Sequence, residues 1–180
     1  MRSLHRGDGV TLPRAGIAAA VIVLLLDQLV KWYVTGPLDL DGLAAPAIEL
    51  LPIFRLHFVA NTGVSLGWLR ADNETARWLL VAMTGLIAAG VLVWMWREPR
   101  RGDQLALGIV LGGALGNIAD RARLGYVIDY ADLHFGGWSP FLVFNLGDAA
   151  ITVGVLILLA RALLIRERPK APVSVENDDA

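Results

Sequence analysis

FLVFNLGDAAITVGVLILLA, residues 141–160, joins an amide and a carboxylate, Asn145 and Asp148, to an apolar run long enough to cross a lipid bilayer. A helical crossing takes about 20 mostly apolar residues. A carboxylate at a membrane edge costs free energy that another Leu would avoid, so a plain anchor has no use for it. Part of that cost is offset locally, because free N–H groups and the helix dipole favour acids and amides at a helix N-terminus. Asn145 and Asp148 are i and i+3 there, which accounts for one carboxylate.

The remainder of the chain matches this stretch in character. Its 180 residues are 56% hydrophobic and 18% charged, with a mean hydropathy of +0.56. That composition predicts a membrane protein, so the net charge of −1 says little about partners. The absence of cysteine excludes disulfides, thiolate zinc sites and a cysteine nucleophile. Four spans are expected, at about residues 15–34, 77–96, 104–119 and 141–164. The third is short and carries Gly108, Gly112, Gly113 and Gly116, which suits close approach of another helix backbone. Arg2, Arg6 and Arg14 precede the first span as in a secretory signal, but no small-residue cleavage site follows, so it is expected to remain as a span.

Arginine placement sets the expected orientation. Arg2, Arg6 and Arg14, then Arg97, Arg100 and Arg101, then Arg161, Arg166, Arg168 and Lys170 all belong on the cytoplasmic side, with both termini inside. Residues 35–76 and 120–140 then lie outside. In the first of these, IFRLHFVAN alternates, with Phe54, Leu56 and Phe58 facing one way and Arg55 and His57 the other, which predicts a short strand or hairpin. YVIDYADLHF in the second has the same character. The expected fold is a mainly α membrane protein of four transmembrane helices with a small extracytoplasmic β platform between helices 1 and 2. Residues 1–168 form a single membrane-embedded domain in this reading, and 169–180 a disordered cytoplasmic tail.

Polar residues at membrane depth are the informative ones. Asp27 and Lys31 are four apart on one face of the first helix and can pair, either as a structural ion pair or in support of a site. Asn117, Asp120 and Arg121, at i, i+3 and i+4, are expected to satisfy one another at the outer end of the third helix. Asp129, nineteen residues before Asp148 in a strand-like setting, is carried to the same membrane face, and helix capping does not explain it. Two nearby carboxylates in a weakly solvating site share a proton and titrate together. One can then activate water while the other, protonated, polarises a carbonyl. The pattern alone leaves this open beside a purely structural role.

Four motifs follow one another along the chain: DQLVKW (27–32), NTGVSLG (61–67), GGALGNIADRARLGYVIDY (112–130) and FNLGDAAI (144–151). In these motifs and their order the chain resembles lipoprotein signal peptidase, or signal peptidase II, a bacterial integral-membrane aspartic peptidase family. The resemblance implies a four-helix enzyme of the bacterial cytoplasmic membrane, with its site near the outer surface, that removes the signal peptide of diacylglyceryl-modified prolipoproteins by cutting before the lipidated cysteine. Carried over residue by residue, it implies Asp129 and Asp148 as catalytic aspartates, and Asn61, Asn117, Arg121 and Asn145 as polar residues around substrate and dyad. Asp27 and Lys31 match the family's first-helix pair, Gly63 lies in the NTGVSLG motif, and Asp120 is the rival for the second carboxylate. Where the family usually has Ala before the second aspartate, this chain has Gly147, expected to loosen the helix start without removing chemistry.

The same residues allow other chemistries. A serine peptidase could be built only from Ser65 with Lys31 as base, and a small transporter or proton channel would explain intramembrane Asp, Lys and Asn, although here the acids cluster at one face. His5, His57 and His134 lack metal-ligand spacing, so no metal or other cofactor is expected. Nucleic acid is not expected as a partner, because membrane orientation accounts for the Arg clusters. Lipids and lipid-modified substrates are the expected partners, with no obligate protein partner. Trp32, Trp68, Trp78, Trp94, Trp96 and Trp138 suit interfacial anchoring.

Overall fold

The computed structural model describes residues 12–42, 47–63, 74–136, 138–139 and 141–164. Four helices, α1 (Arg14–Thr35), α2 (Glu74–Arg97), α3 (Arg101–Leu124) and α4 (Leu146–Leu164), are each long and apolar enough to cross a bilayer. Leu25, Leu29, Leu86 and Leu163 lie exposed on them, as side chains facing lipid do.

The central helix is α3, with half of its apolar window buried against 22% or less in the others. Its glycines make this possible. A Cβ on Gly108 would lie 2.1 Å from the Gly16 carbonyl oxygen of α1, and one on Gly113 would lie 2.3 Å from the Gly147 carbonyl oxygen of α4. Without a hydrophobic driving force between helices in lipid, such close backbone packing supplies the cohesion. Ala20, Ala88, Met95, Leu107 and Leu111 fill the remaining core. Arg14, Arg97, Arg101 and Arg161 fall at one end of the bundle by chain direction, and there Arg161 pairs with Asp103.

A three-stranded antiparallel sheet lies at the other end: β1 (Ile48–Leu51), β2 (Phe54–Asn61) and β3 (Val127–Leu133), in that order. Phe54, Leu56 and Phe58 all pack on one cluster with Val34, Leu40, Ile128 and Tyr130, as the alternation predicts. Among the described residues, the α1–α2 connection supplies the hairpin β1–β2, and the third strand comes from the α3–α4 connection. A lone hairpin is marginal in water, and β3 completes it. Register places Val59 opposite Asp129 and Asn61 opposite Val127, after an irregularity between Leu56 and Val59.

The two largest departures from the expected boundaries, at the end of α3 and the start of α4, have local reasons. α3 continues to Leu124 because Arg121, Arg123 and Asp120 find partners at its end, and it stops at Gly125, whose φ of +89° suits glycine. Arg77 of α2 caps this end by donating to the Arg121 and Ala122 carbonyls. α4 begins at Leu146, not Phe141, because Phe144 pairs with Ala131 of β3 through N–H···O bonds of 3.0 and 2.8 Å.

Candidate functional site: a carboxylate pair held by amides

The site lies where β3 and the start of α4 meet the sheet-side end of α3. Asn145 caps α4 reciprocally: its Oδ1 accepts from the Asp148 N–H at 2.9 Å, while Asp148 Oδ2 accepts from the Asn145 N–H at 3.3 Å. Capping thus fixes the Asp148 carboxylate. The Tyr130 hydroxyl accepts from the Leu146 N–H at 3.2 Å, tying β3 to the same helix start.

Asp129, only 1% exposed, receives Asn61 Nδ2 at 2.9 Å on one oxygen and Asn145 Nδ2 at 2.6 Å on the other. Asp148 Oδ1 receives Asn117 Nδ2 at 2.8 Å. Among the described residues, every hydrogen-bond donor to either carboxylate is an amide N–H. Burial pushes the Asp129 carboxyl up to about 6; the Asp148 charge adds to the rise, while the Asn61 and Asn145 bonds and the Lys31 charge oppose it.

Asn61, Gly63, Asn117, Arg121, Asp129 and Asp148 form the polar wall of a cavity of about 470 Å³, which continues between Ile87, Val91 and Val110 at membrane depth. A second, apolar cavity of about 430 Å³ also reaches Asp148, lined by Phe141, Leu142, Phe144 and Val153. Arg121 donates to the Gly63 carbonyl at 3.4 Å, and its Nε is buried with no partner among the described residues.

Behind this wall lies a second polar group. Lys31 Nζ sits 2.8 Å from Asp27 Oδ2, 2.8 Å from Asp120 Oδ2 and 2.9 Å from Asn117 Oδ1. Asp27 Oδ1 accepts from the Gly147 N–H at 2.8 Å, and Asp120 also accepts from Gln28 Nε2 at 3.0 Å and from the Ile128 N–H at 3.3 Å.

The expectation that Asn117, Asp120 and Arg121 satisfy one another is therefore corrected. Each step along a helix turns the side-chain direction by about 100°. Asp120 consequently faces α1 and Lys31, Arg121 faces the cavity, and Asn117 stands between. Asp120 is placed with Lys31, outside the cavity that holds Asp129 and Asp148. Lys31, engaged by two carboxylates and an amide, is a poor candidate for a free base, and Ser65 lies outside the described residues, as do the loop to Leu69 and the tail after Pro169. Two site residues escaped the sequence reading: Gln28, which carries no charge but is a polar group at membrane depth, and Tyr130, hidden by its ordinary aromatic context.

Four apolar spans, an antiparallel sheet over one end and two carboxylates on a shared cavity define a polytopic membrane protein built around an acid pair, with Asp129 buried and Asp148 partly exposed. The family profile described as Signal peptidase (SPase) II matches residues 19–164. A lipoprotein signal peptidase of Rhizorhabdus wittichii is 57% identical, covering 99% of this chain and 97% of that protein, and one of Sphingopyxis alaskensis is 52% identical over 86% and 88%. A solved bacterial membrane enzyme structure, obtained in meso at 2.3 Å resolution, superposes with a TM-score of 0.71 at 25% identity, covering 91% of this chain and 95% of that one. The chain belongs to the signal peptidase II family and is a multi-pass bacterial membrane peptidase of the aspartic type.

Proposed function

We propose that this enzyme removes the signal peptide from diacylglyceryl-modified prolipoproteins, cutting before the lipidated cysteine, with Asp129 and Asp148 as the catalytic pair. The observation that carries this reading is the shared cavity: two carboxylates held by neutral amides, one of them pushed up to about 6, with no cation bonded directly to either among the described residues. The reactive form of the pair carries one proton, which burial lets Asp129 keep up to about pH 6. The ionised carboxylate takes a proton from water, and the resulting hydroxide adds to the scissile carbonyl carbon. The protonated carboxylate gives its proton to the carbonyl oxygen, forming a neutral gem-diol. On collapse the ionised carboxylate takes a proton from one diol hydroxyl while the protonated carboxylate gives its proton to the departing cysteine nitrogen; the C–N bond breaks, a carboxylic acid and an amine form, and the pair again holds one proton.

The relatives' names support the substrate class. Arg14, Arg97, Arg101 and Arg161 at the end opposite the sheet support an orientation with both termini cytoplasmic and the site at the outer surface. Acyl chains of a lipidated substrate stay in the bilayer while the scissile bond meets the acid pair, so the membrane supplies part of the alignment. In this reading Arg121 and Asn61 hold the peptide; their position on the cavity wall supports that role.

The test is a cleavage assay with one prolipoprotein in lipid-modified and unmodified forms. The lipidated form is expected to be strongly preferred. Asp129→Asn and Asp148→Asn should each lower turnover by about 10²–10⁴-fold with normal membrane insertion; substantial cleavage by either variant overturns the assignment.

A further inference from the structure

The acid pair is oriented from outside its own cavity. Lys31 is 1% exposed and has three buried partners, Asp27, Asp120 and Asn117. A buried ammonium flanked by carboxylates is weak evidence for stability, because apolar residues of similar volume commonly serve a fold as well. Its effect on Asn117 is more specific. An ammonium only donates, so Asn117 must present Oδ1 to Lys31, at 2.9 Å, and consequently Nδ2 to Asp148, at 2.8 Å. The opposite amide orientation would set N–H against N–H and oxygen against carboxylate.

The same constraint passes to Asn145. With Asn117 Oδ1 turned inward, Asn145 Nδ2 donates to it at 3.1 Å and to Asp129 at 2.6 Å, leaving Asn145 Oδ1 for the Asp148 N–H. One cation thereby fixes the direction of donation in two amides, and those amides reach both aspartates.

We propose that Lys31 is a positioning residue of the carboxylate pair, acting through Asn117 to hold Asp148 and, through Asn145, Asp129 in their reactive arrangement. This role rests on the proposed function of the pair. Among the described residues, the charged and titratable groups around Asp129 are Asp148 from α4, Lys31 from α1, Arg121 from α3 and the neighbouring Tyr130; Asp27 and Asp120 face Lys31 from behind. Lys31 favours the ionised form of Asp129. Loss of its charge and of the ordered amide therefore raises the proton affinity of the pair, and both limbs of a bell-shaped pH–rate profile move to higher pH.

The experiment compares kcat, KM and the pH profile on a lipid-modified prolipoprotein for the full chain and two variants. Lys31→Met/Asp120→Asn removes one charge of each sign, which avoids leaving an extra buried carboxylate uncompensated. Asn117→Ala leaves every charge in place and cuts the link. Each is expected to lower kcat by about tenfold or more, keep KM within about threefold and move both limbs up by about one pH unit. The double variant failing to insert leaves Asn117→Ala to decide. Wild-type kcat with unmoved limbs, or a kcat loss without movement of the limbs, overturns the proposal, the latter by assigning the residues to the fold alone. The underlying reading fails separately: it falls if Asp129→Asn or Asp148→Asn still turns over, whatever the relay variants do.

Discussion

Towards its Arg101 end, α3 meets α1 through Gly108 and Gly112, where the carbonyls of Gly16 and Ala20 lie close to where a Cβ would be; towards Leu124 it meets the same helix through Asn117, Asp120 and Lys31. Gly116 marks the change, its absent Cβ making room for Asp27 Oδ2, 2.2 Å from that position. The lower contact is dry and depends on shape. The upper one is polar and depends on complete pairing of groups that lipid would not tolerate alone. Cohesion and chemistry are thus segregated along one helix, and substitutions at the two ends should fail in different ways.

The largest effect is expected at the dry contact. Gly108→Ala places a methyl group 2.1 Å from the Gly16 carbonyl oxygen, so α1 and α3 must separate, at a cost of about 3 kcal/mol. Thermal unfolding in detergent measures this, and a variant as stable as wild type would dissolve the contrast between the ends.

Next comes a pH effect confined to the polar end. Asp129 holds its proton up to about pH 6 when folded, against an ordinary value of 3.8. Between these values the folded state binds the proton and the unfolded chain has released it, so stability falls as pH rises through that window and stays lower above it. The span corresponds to about 2–3 kcal/mol. Asp129→Asn should flatten this part of the stability–pH curve while leaving the enzyme inactive; unchanged curves would show that Asp129 is not the group responsible.

Gly147 sits between the regimes. A Cβ there would meet Asn145 Oδ1 and the Gly113 carbonyl oxygen at 3.0 Å and Asp27 Oδ1 at 3.2 Å, so Gly147→Ala requires shifts of a few tenths of an ångström. An expected loss of about 1 kcal/mol, with a several-fold drop in kcat from the displaced Asn145, would sharpen the boundary. The smallest effect belongs to the lipid face: Gly85 and Gly90 of α2 have nothing within 4 Å of a Cβ, and Gly→Ala at either should stabilise the helix by up to about 1 kcal/mol.

Much of this was legible in the chain. Four apolar runs of sufficient length, the glycines of α3 and the basic residues at alternate connections follow from the physics of a bilayer, which forces every backbone polar group into local pairing and so makes spans readable one at a time. The strand alternation around Phe54 to Phe58 was likewise a local signal, as was the Asn145–Asp148 cap. The third strand was less so: its pairing depends on β2, more than 60 residues earlier, and no local pattern fixes that register.

What the sequence determined, then, was the inventory: which residues enter the membrane, and which polar ones are conspicuous there. Their partners were decided only by tertiary structure. Asp120 turned to Lys31 and away from its neighbour Arg121, Asn117 became a bridge, and the uncharged Gln28 joined the group, because in a weakly solvating interior a charge takes the partner that several packed elements bring to it, and adjacency along one helix does not supply that direction.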